Sequence, residues 1–326
     1  MRHLFIINPV AGGGGQAEKI TAQIGREMAG RNADFQIYVT REPMDAARKL
    51  CVEADTGDVL QVYACGGDGT LNECICGAVG RPNVAVTHFP CGTGNDFIKT
   101  FGEEKRRFFD LTELLSGEVR PVDVIRCNDR YSLNICSVGI DARIGTQVHR
   151  YSSLPLLGGA TGYILSTAAE LVKGVSRPIR VTVGRRIFDG EKTLVCICNG
   201  TWYGGFFNPV PAARLDDGLL DVLVVKGVSR LTFARLVGDY AKGKYGKHPK
   251  YIEHVRARSV VIDSPGELVV NMDGEAIRAA HVEMSVIPSG ANFIFPREME
   301  YFKNDGKQKE GNKKKQECSA VNMMFN

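Results

Sequence analysis

The segment Gly66-Gly67-Asp68-Gly69-Thr70 constrains the fold of this chain more than any other part of its sequence. It follows an apolar run, Val59 to Cys65, and precedes a helix-like stretch that begins near Leu71. An apolar run that breaks into glycines and then becomes helical indicates a strand, a tight turn and a helix N-terminus. The backbone N–H groups there have no partners within the helix, so the turn is predicted to bind an anion such as phosphate.

A single acid, Asp68, lies in this turn. Because a carboxylate repels a phosphate, its position suggests a divalent cation between the two, or a proton to be collected. The alternative is a glycine-rich connection with a solvated aspartate.

Strands and helices alternate through the first third of the chain, which predicts an open parallel α/β sheet with ligands at the carboxyl ends of its strands. Three strand ends, near Asn8, Asp68 and Gly92, are expected to face one crevice. The predicted strands are Leu4–Ile7, Phe35–Val39, Val59–Cys65 and Val84–Pro90, and the predicted helices are about Gln16–Met28 and Met44–Ala54.

After Pro121 the pattern changes to short strands, several with period-2 alternation, which predicts an antiparallel, sandwich-like second domain. The predicted division is an α/β domain over 1–122, an all-β sandwich-like domain over 123–290 and a disordered tail over 304–326. The apolar run Asn292–Pro296 either closes the second domain or returns to the first sheet, in which case 291–303 complete the first domain. A length of 326 residues fits two domains.

The net charge and the positions of the cysteines restrict the classes of function that this protein can have. The net charge is +4, and residues 303–326 hold six lysines against three acids, so the body is near neutral and nucleic acid is not an expected partner. No apolar run has the length of a membrane span. The cysteines, such as Cys65 and Cys196, lie within apolar runs, which favours reduced thiols and a cytoplasmic protein.

Two familiar phosphate motifs fit poorly. Gly12-x-Gly14-x-x-Ala17 matches the loose dinucleotide pattern, but the second strand ends in Thr40-Arg41 and not in an acid. The segment Gly238–Tyr245 nearly spells a P-loop, yet Tyr245 stands where a hydroxyl on magnesium belongs and a helical pattern precedes it.

Two acidic turns lie in the second domain: Asp216-Asp217-Gly218-Leu219-Leu220-Asp221 and Asp273-Gly274-Glu275. Carboxylates in glycine turns suit a hard cation, although hairpin turns alone explain each of them. Together with Asn8-Pro9, Thr40, the Gly66–Glu73 segment and Pro90–Phe97, these turns resemble the diacylglycerol kinase catalytic-domain family, closest to the bacterial lipid kinases that are related to sphingosine and ceramide kinases. The resemblance spans about residues 4 to 297, and it implies that the first domain binds nucleotide, that the second binds lipid and that the active site lies in the cleft between them.

The resemblance implies a role for each matching residue. ATP is expected on Asn8, Gly12, Thr40, Gly67, Asp68, Gly69, Thr70, Glu73, Gly92, Thr93 and Asn95. Asp68 would help hold catalytic Mg²⁺, and Glu275, with Asp273 beside it, would be the base that takes the proton of the lipid hydroxyl. A second, structural cation would lie on the carbonyls of Arg214 and Leu219 and the carboxylate of Asp217.

The implied activity is transfer of the γ-phosphate of ATP to a lipid hydroxyl, with diacylglycerol as the expected acceptor at a membrane surface. An NAD kinase-like phosphotransferase and a non-catalytic ATP- or lipid-binding module are the alternatives. Oligomeric state, including a homodimer, is open. Apolar residues that either line an acyl pocket or fill the core are Leu154–Leu157, Trp202, Tyr203, Phe206 and Phe207.

Overall fold

The computed structural model describes residues 1–140, 142 and 175–303. The candidate acyl-pocket residues 154–157 and the predicted tail 304–326 lie outside the described residues. Among the described helices, none is long and apolar enough to cross a membrane.

The first part of the chain alternates strands and helices, as predicted. Strands β1 to β4 pair in parallel in the order β2-β1-β3-β4. The elements are β1 (Arg2–Ile7), α1 (Ala17–Met28), β2 (Asp34–Val39), α2 (Asp45–Ala54), β3 (Leu60–Gly66), α3 (Asp68–Ala78), β4 (Val84–Pro90), α4 (Asp96–Lys99) and α5 (Leu111–Leu115). Strands β1, β3 and β4 are almost wholly buried, as strands covered on both faces are.

The second part is mostly antiparallel. Its elements are β5 (Glu118–Cys127), β6 (Arg130–Ser132), β7 (Ile135–Gly139), β8 (Arg177–Pro178), β9 (Arg180–Val183), β10 (Arg186–Phe188), β11 (Glu191–Cys198), β12 (Leu220–Lys226), α6 (Arg230–Tyr240), β13 (Ile252–Ala257), β14 (Ser259–Met272), β15 (Glu275–Phe295) and α7 (Glu300–Lys303). Inward side chains of β5, β7, β9, β11, β12, β14 and β15 form one apolar core. The predicted fold class, a parallel α/β domain followed by a β-sandwich-like domain, is confirmed.

The strand β15 joins the two parts. Its first half pairs antiparallel with β14, and its last residues pair in parallel with β4 through Asn292 and Phe293. Phe293, Phe295 and Phe302 pack in the core of the first part. Of the two alternatives for the run Asn292–Pro296, the structure shows the return to the first sheet, because β15, a strand of 21 residues, is long enough to cross from one sheet region into the other.

Several predicted boundaries differ from the structure. The division at 122/123 falls inside β5, which pairs with β15 along almost its whole length. The runs 259–262 and 268–272 are one strand, β14, with an irregularity between Asp263 and Leu268. A local sequence pattern cannot show that the two runs form one strand. Both runs pair with β15, on either side of the polar residues between them.

Candidate active site

A cleft of about 1020 Å³ lies between the two parts of the molecule. The first part contributes the ends of β1, β3 and β4, and the second contributes the β6–β7 connection, the β14–β15 hairpin and an aromatic loop, Thr201–Asn208. Ten predicted site residues line the cleft: Asn8, Gly12, Gly67, Asp68, Gly69, Thr70, Gly92, Thr93, Asp273 and Glu275. The three predicted strand ends thus share one crevice, and it opens toward the hairpin that carries Glu275.

The floor of the cleft is built from two glycine turns in close contact. A Cβ on Gly92 would lie 2.6 Å from the Cα of Gly67, which no backbone tolerates. Gly66 O accepts hydrogen bonds from the N–H groups of Cys91 and Gly92, at 2.8 and 3.2 Å. The Asn8 amide donates to the Thr70 hydroxyl at 3.1 Å and joins the end of β1 to the start of α3. The result is a surface of backbone at the N-terminus of an 11-residue helix, which favours phosphate.

Asp68 is the first residue of α3, and its carboxylate spans both turns. Its Oδ1 accepts from the N–H of Asp96 at 2.6 Å and of Phe97 at 3.4 Å. Its Oδ2 faces Gly94, where a Cβ would lie only 2.8 Å away. Burial, and then the neighbouring Asp96 charge, raise the pKa of Asp68 to about 6. One oxygen is thus fixed by the protein, and no described residue donates a hydrogen bond to the other.

Asp273 and Glu275 lie at the β14–β15 hairpin but have different environments. The Asp273 carboxylate accepts from the N–H groups of Leu133, Asn134 and Ile135, at 2.7 to 3.2 Å. The Glu275 side chain is exposed and lines the cleft. Because its oxygens are already occupied by three amides, Asp273 is suited to position the hairpin, and Glu275 is the carboxylate of this pair that is available for proton transfer.

Three other residues implied for ATP lie outside the cleft wall. Glu73 accepts from the N–H of Ala46 at 3.2 Å at the start of α2, and burial raises its pKa. The Thr40 hydroxyl donates to the Ile7 carbonyl at 3.4 Å. Asn95, in the left-handed region at φ 48°, donates to Gly92 O at 2.8 Å, while its buried Oδ1 has no partner among the described residues. Asn95 thus supports the Gly92 turn, whereas Thr40 and Glu73 hold the end of β1 and the start of α2.

A contact between the two parts was missed by the sequence analysis. The Asp96 carboxylate accepts from Lys99 Nζ at 2.6 Å and from the N–H of Gly205 at 2.9 Å, and Lys99 also donates to Gly205 O at 2.7 Å. Asp96 belongs to a turn that the sequence analysis quoted, but its partner lies 109 positions later. No local signal predicts this pairing, which holds the aromatic loop against the phosphate turn.

Residues of the aromatic loop were predicted either to line an acyl pocket or to fill the core, and the structure separates them. Tyr203 and Phe206 line the cleft, whereas Phe207 is buried in a separate cluster with Tyr240. Trp202 is half-buried and does not line the cleft. Part of the cleft wall, beside the Gly92 turn, is therefore aromatic.

The second cation site implied by the resemblance does not fit this chain. Asp217 Oδ1 accepts from the N–H of Leu219 at 3.1 Å, and Oδ2 is paired with the guanidinium of Arg256. Arg256 also lies 3.3 Å from Asp221, its cross-strand neighbour, and Arg214 is paired with Asp216. The turn itself is held by Asp123, which accepts from the N–H of Gly218 at 2.6 Å. An arginine thus already neutralises the carboxylate that was expected to hold the metal ion, and we therefore expect no cation on Arg214, Asp217 and Leu219.

The geometry defines the class of protein: a parallel α/β domain with a glycine-rich phosphate turn, closed on one side by a β-sandwich-like domain that presents an acid. Comparison with known protein families agrees. Residues 2–127 match the diacylglycerol kinase catalytic domain, and residues 134–295 match the YegS C-terminal NAD kinase beta sandwich-like domain. The two matches leave little of the chain uncovered, and the chain combines a diacylglycerol kinase catalytic domain with a YegS C-terminal domain.

Individual relatives cover most of the chain at modest identity. A protein of Shewanella frigidimarina named "Probable lipid kinase YegS-like" is 28% identical over 266 residues, which are 80% of this chain and 84% of the relative. A diacylglycerol kinase of Staphylococcus saprophyticus is 28% identical over 240 residues, 73% of this chain and 77% of the relative. A crystal structure of a diacylglycerol kinase from Bacillus anthracis has a TM-score of 0.67 and 26% identity, with 91% of this chain and 98% of that chain covered.

Proposed function

We propose that this protein is a lipid kinase of the cytoplasm that transfers the γ-phosphate of ATP to the hydroxyl of diacylglycerol at a membrane surface. One observation carries the proposal: a single cleft holds a glycine-built phosphate surface, the half-buried Asp68 carboxylate, the exposed Glu275 carboxylate and an aromatic wall. The names of the relatives support the lipid as acceptor. The nine described cysteines are free thiols, which suits a reducing compartment.

The residues present fit a nucleotide's phosphates. The contact between Gly67 and Gly92 excludes any side chain from the floor, so a phosphate can reach the backbone N–H groups at the start of α3. These groups bind by position and charge, which is most of what phosphoryl transfer requires.

Magnesium, when bound with ATP, neutralises charge on the phosphates, and the Oδ2 atom of Asp68 is suited to hold it. The lipid hydroxyl attacks the γ-phosphorus, the bond to the bridging oxygen breaks, and ADP leaves. Glu275 accepts the hydroxyl proton. Asp273 fixes the hairpin that carries Glu275, and the aromatic loop orients the lipid against the phosphate turn.

The test measures radiolabelled phosphate transfer from ATP to diacylglycerol in mixed micelles, with ceramide, sphingosine and NAD as competing acceptors. We expect diacylglycerol to be preferred. Transfer to NAD in place of lipid, or ATP binding without transfer to any acceptor, would support the alternatives and contradict the proposal.

Two variants test the assigned roles. Asp68→Ala removes the metal contact and is expected to reduce kcat/KM more than Glu275→Ala, which removes a general base worth roughly 10²–10⁴-fold. The exposed Asp58→Ala, outside the cleft, is the matched control and should leave turnover unchanged. Near-normal turnover of Asp68→Ala would show that the site is assigned wrongly.

A further inference from the structure

Positive charge gathers in two described stretches of the chain: residues 177–186 carry four arginines and no acid, and residues 230–250 form the longer stretch. Residues 230–250 carry six lysine and arginine side chains against one acid, a net charge of +5, whereas residues 1–302 as a whole are net +1. The rest of residues 1–302 is therefore net −4. The same stretch contains the near match to a P-loop, but it forms the end of α6, a turn and a short 3₁₀ helix, Tyr245–Lys247. The lysines are not part of a P-loop, and their clustering requires another explanation.

The lysines of this stretch point into solvent. Lys242, Lys244, Lys247 and Lys250, which we call the basic segment, are all exposed. Lys247 lies 3.9 Å from Asp239, and within the described part of the chain the other three have no carboxylate within 4 Å. Like charges gathered without counter-charges repel one another, and an anionic partner relieves that repulsion.

The basic segment is fixed against the loop that forms the aromatic wall of the cleft. The hydroxyls of Tyr240 and Tyr203 are 3.0 Å apart, and Ala241 O accepts from the N–H of Asn208 at 2.9 Å. Gly243, at φ +66°, packs so closely that a Cβ would lie 2.3 Å from Pro211. The basic segment, outside the cleft, is thus held by direct contacts against the aromatic loop that lines the cleft.

We propose that the basic segment is the surface with which the protein docks on an anionic lipid bilayer. This proposal rests on the proposed function, because a lipid acceptor must pass from a bilayer into the cleft. Lysines near an anionic membrane gain about fivefold in partitioning each, and the aromatic loop beside them carries Phe206, half exposed at the cleft. Because the proposed acceptor is a lipid, we favour an anionic membrane over nucleic acid as the partner of these lysines.

The test compares vesicle binding by the full chain and by the variant Lys242→Gln/Lys244→Gln/Lys247→Gln/Lys250→Gln, on vesicles of phosphatidylcholine alone and of phosphatidylcholine mixed with phosphatidylglycerol. Wild type is expected to prefer the anionic vesicles. The variant is expected to lose several hundred-fold of that partitioning at low salt, on the order of fivefold for each lysine. The lysines of residues 303–326 are present in both proteins and cancel in the comparison.

The matched control removes four exposed arginines that do not line the cleft: Arg106→Gln, Arg185→Gln, Arg258→Gln and Arg278→Gln. It is expected to bind anionic vesicles within about tenfold of wild type, and thermal melts check that both variants fold. The proposal is overturned if the lysine variant binds anionic vesicles as wild type does, if the control loses as much binding, or if wild type binds duplex nucleic acid more tightly than anionic vesicles.

A separate measurement distinguishes this proposal from the proposed function. With a short-chain diacylglycerol that dissolves as a monomer, the lysine variant should keep wild-type turnover, since no bilayer is involved. If neither protein phosphorylates any lipid but their vesicle binding still differs, the kinase assignment fails and the docking surface stands.

Discussion

At the scale of single residues, the Asp68 carboxylate is subject to two opposing influences on its ionisation. Its Oδ1 is fixed by the N–H groups of Asp96 and Phe97, which stabilise the ionised carboxylate, while burial and the Asp96 charge oppose ionisation. The second influence dominates, because the pKa rises to about 6. In the free protein this carboxylate therefore changes its charge close to neutral pH.

This pKa predicts a pH dependence. We expect kcat/KM to fall about tenfold per pH unit below about pH 6, since kcat/KM reports ionisation in the free enzyme and the proposed metal ligand must be ionised. The folded pKa exceeds the ordinary value of 3.8, so the contribution of Asp68 to stability is lost as pH rises from about 4 to about 6. Asp68→Asn should remove that slope in thermal melts. A flat kcat/KM between pH 5 and 7 would contradict the prediction.

Gly92 provides a steric prediction at the same scale. Gly92→Ala places a Cβ 2.6 Å from the Gly67 backbone, so the two turns must separate. We expect a loss of about 1–3 kcal/mol in the free energy of unfolding and a raised KM for ATP, measured by melts and by kinetics. Gly25→Ala on α1 is the control, because a Cβ there meets nothing within 4 Å and should not lower stability. Equal behaviour of the two variants would show that the turns are not in contact.

At the scale of elements, local patterns predict the strands and turns well and the partners of side chains poorly. The glycine turn after β3 and the alternation of strand and helix are visible because each depends on neighbouring residues. The pairing of Asp217 with Arg256 and of Asp96 with Gly205 depends on which strands and loops meet, and that is decided by packing across the whole molecule. The same reason hides the three amides around Asp273.

A further prediction concerns Arg256 on β13, which lies opposite Asp221 on the neighbouring strand β12. Wild-type melting temperature should be equal with EDTA and with millimolar Mg²⁺ or Ca²⁺, because the guanidinium already neutralises Asp217 and Asp221. Arg256→Gln should melt about 2–4 °C lower, a small loss since the pair is partly exposed, and divalent cations should recover it. Arg258→Gln is the control. If wild type gains stability from divalent cations and Asp217→Asn abolishes the gain, a metal ion belongs there after all.

At the scale of the whole molecule, β15 makes the two domains one folding unit. Strand β4 has β3 on one side and the end of β15 on the other, and the phenylalanines of that end fill the first core. Without β15 the first sheet would expose an unpaired edge and an open core. We therefore expect that the domain boundary inferred from the change in strand pattern does not separate two independently stable units.

A single cooperative unfolding transition is the expected result. Calorimetry of the intact chain should give one peak whose calorimetric and van't Hoff enthalpies agree. A fragment of residues 1–127 should fail to fold when expressed alone, because it lacks the end of β15. Two well-separated peaks, or a folded fragment, would contradict this view.

The continuity of β15 also limits how the protein can move. A hinge between two lobes needs a short, compliant connection, and here two paired strands, β5 and β15, cross the junction together, with one irregularity between Ile287 and Ala291. Entry of a substrate and departure of a product must then be governed by the rim, where the Asp96–Lys99 contact with Gly205 can open and re-form. We therefore expect the opening of this contact at the rim, and not a movement of one domain against the other, to limit turnover.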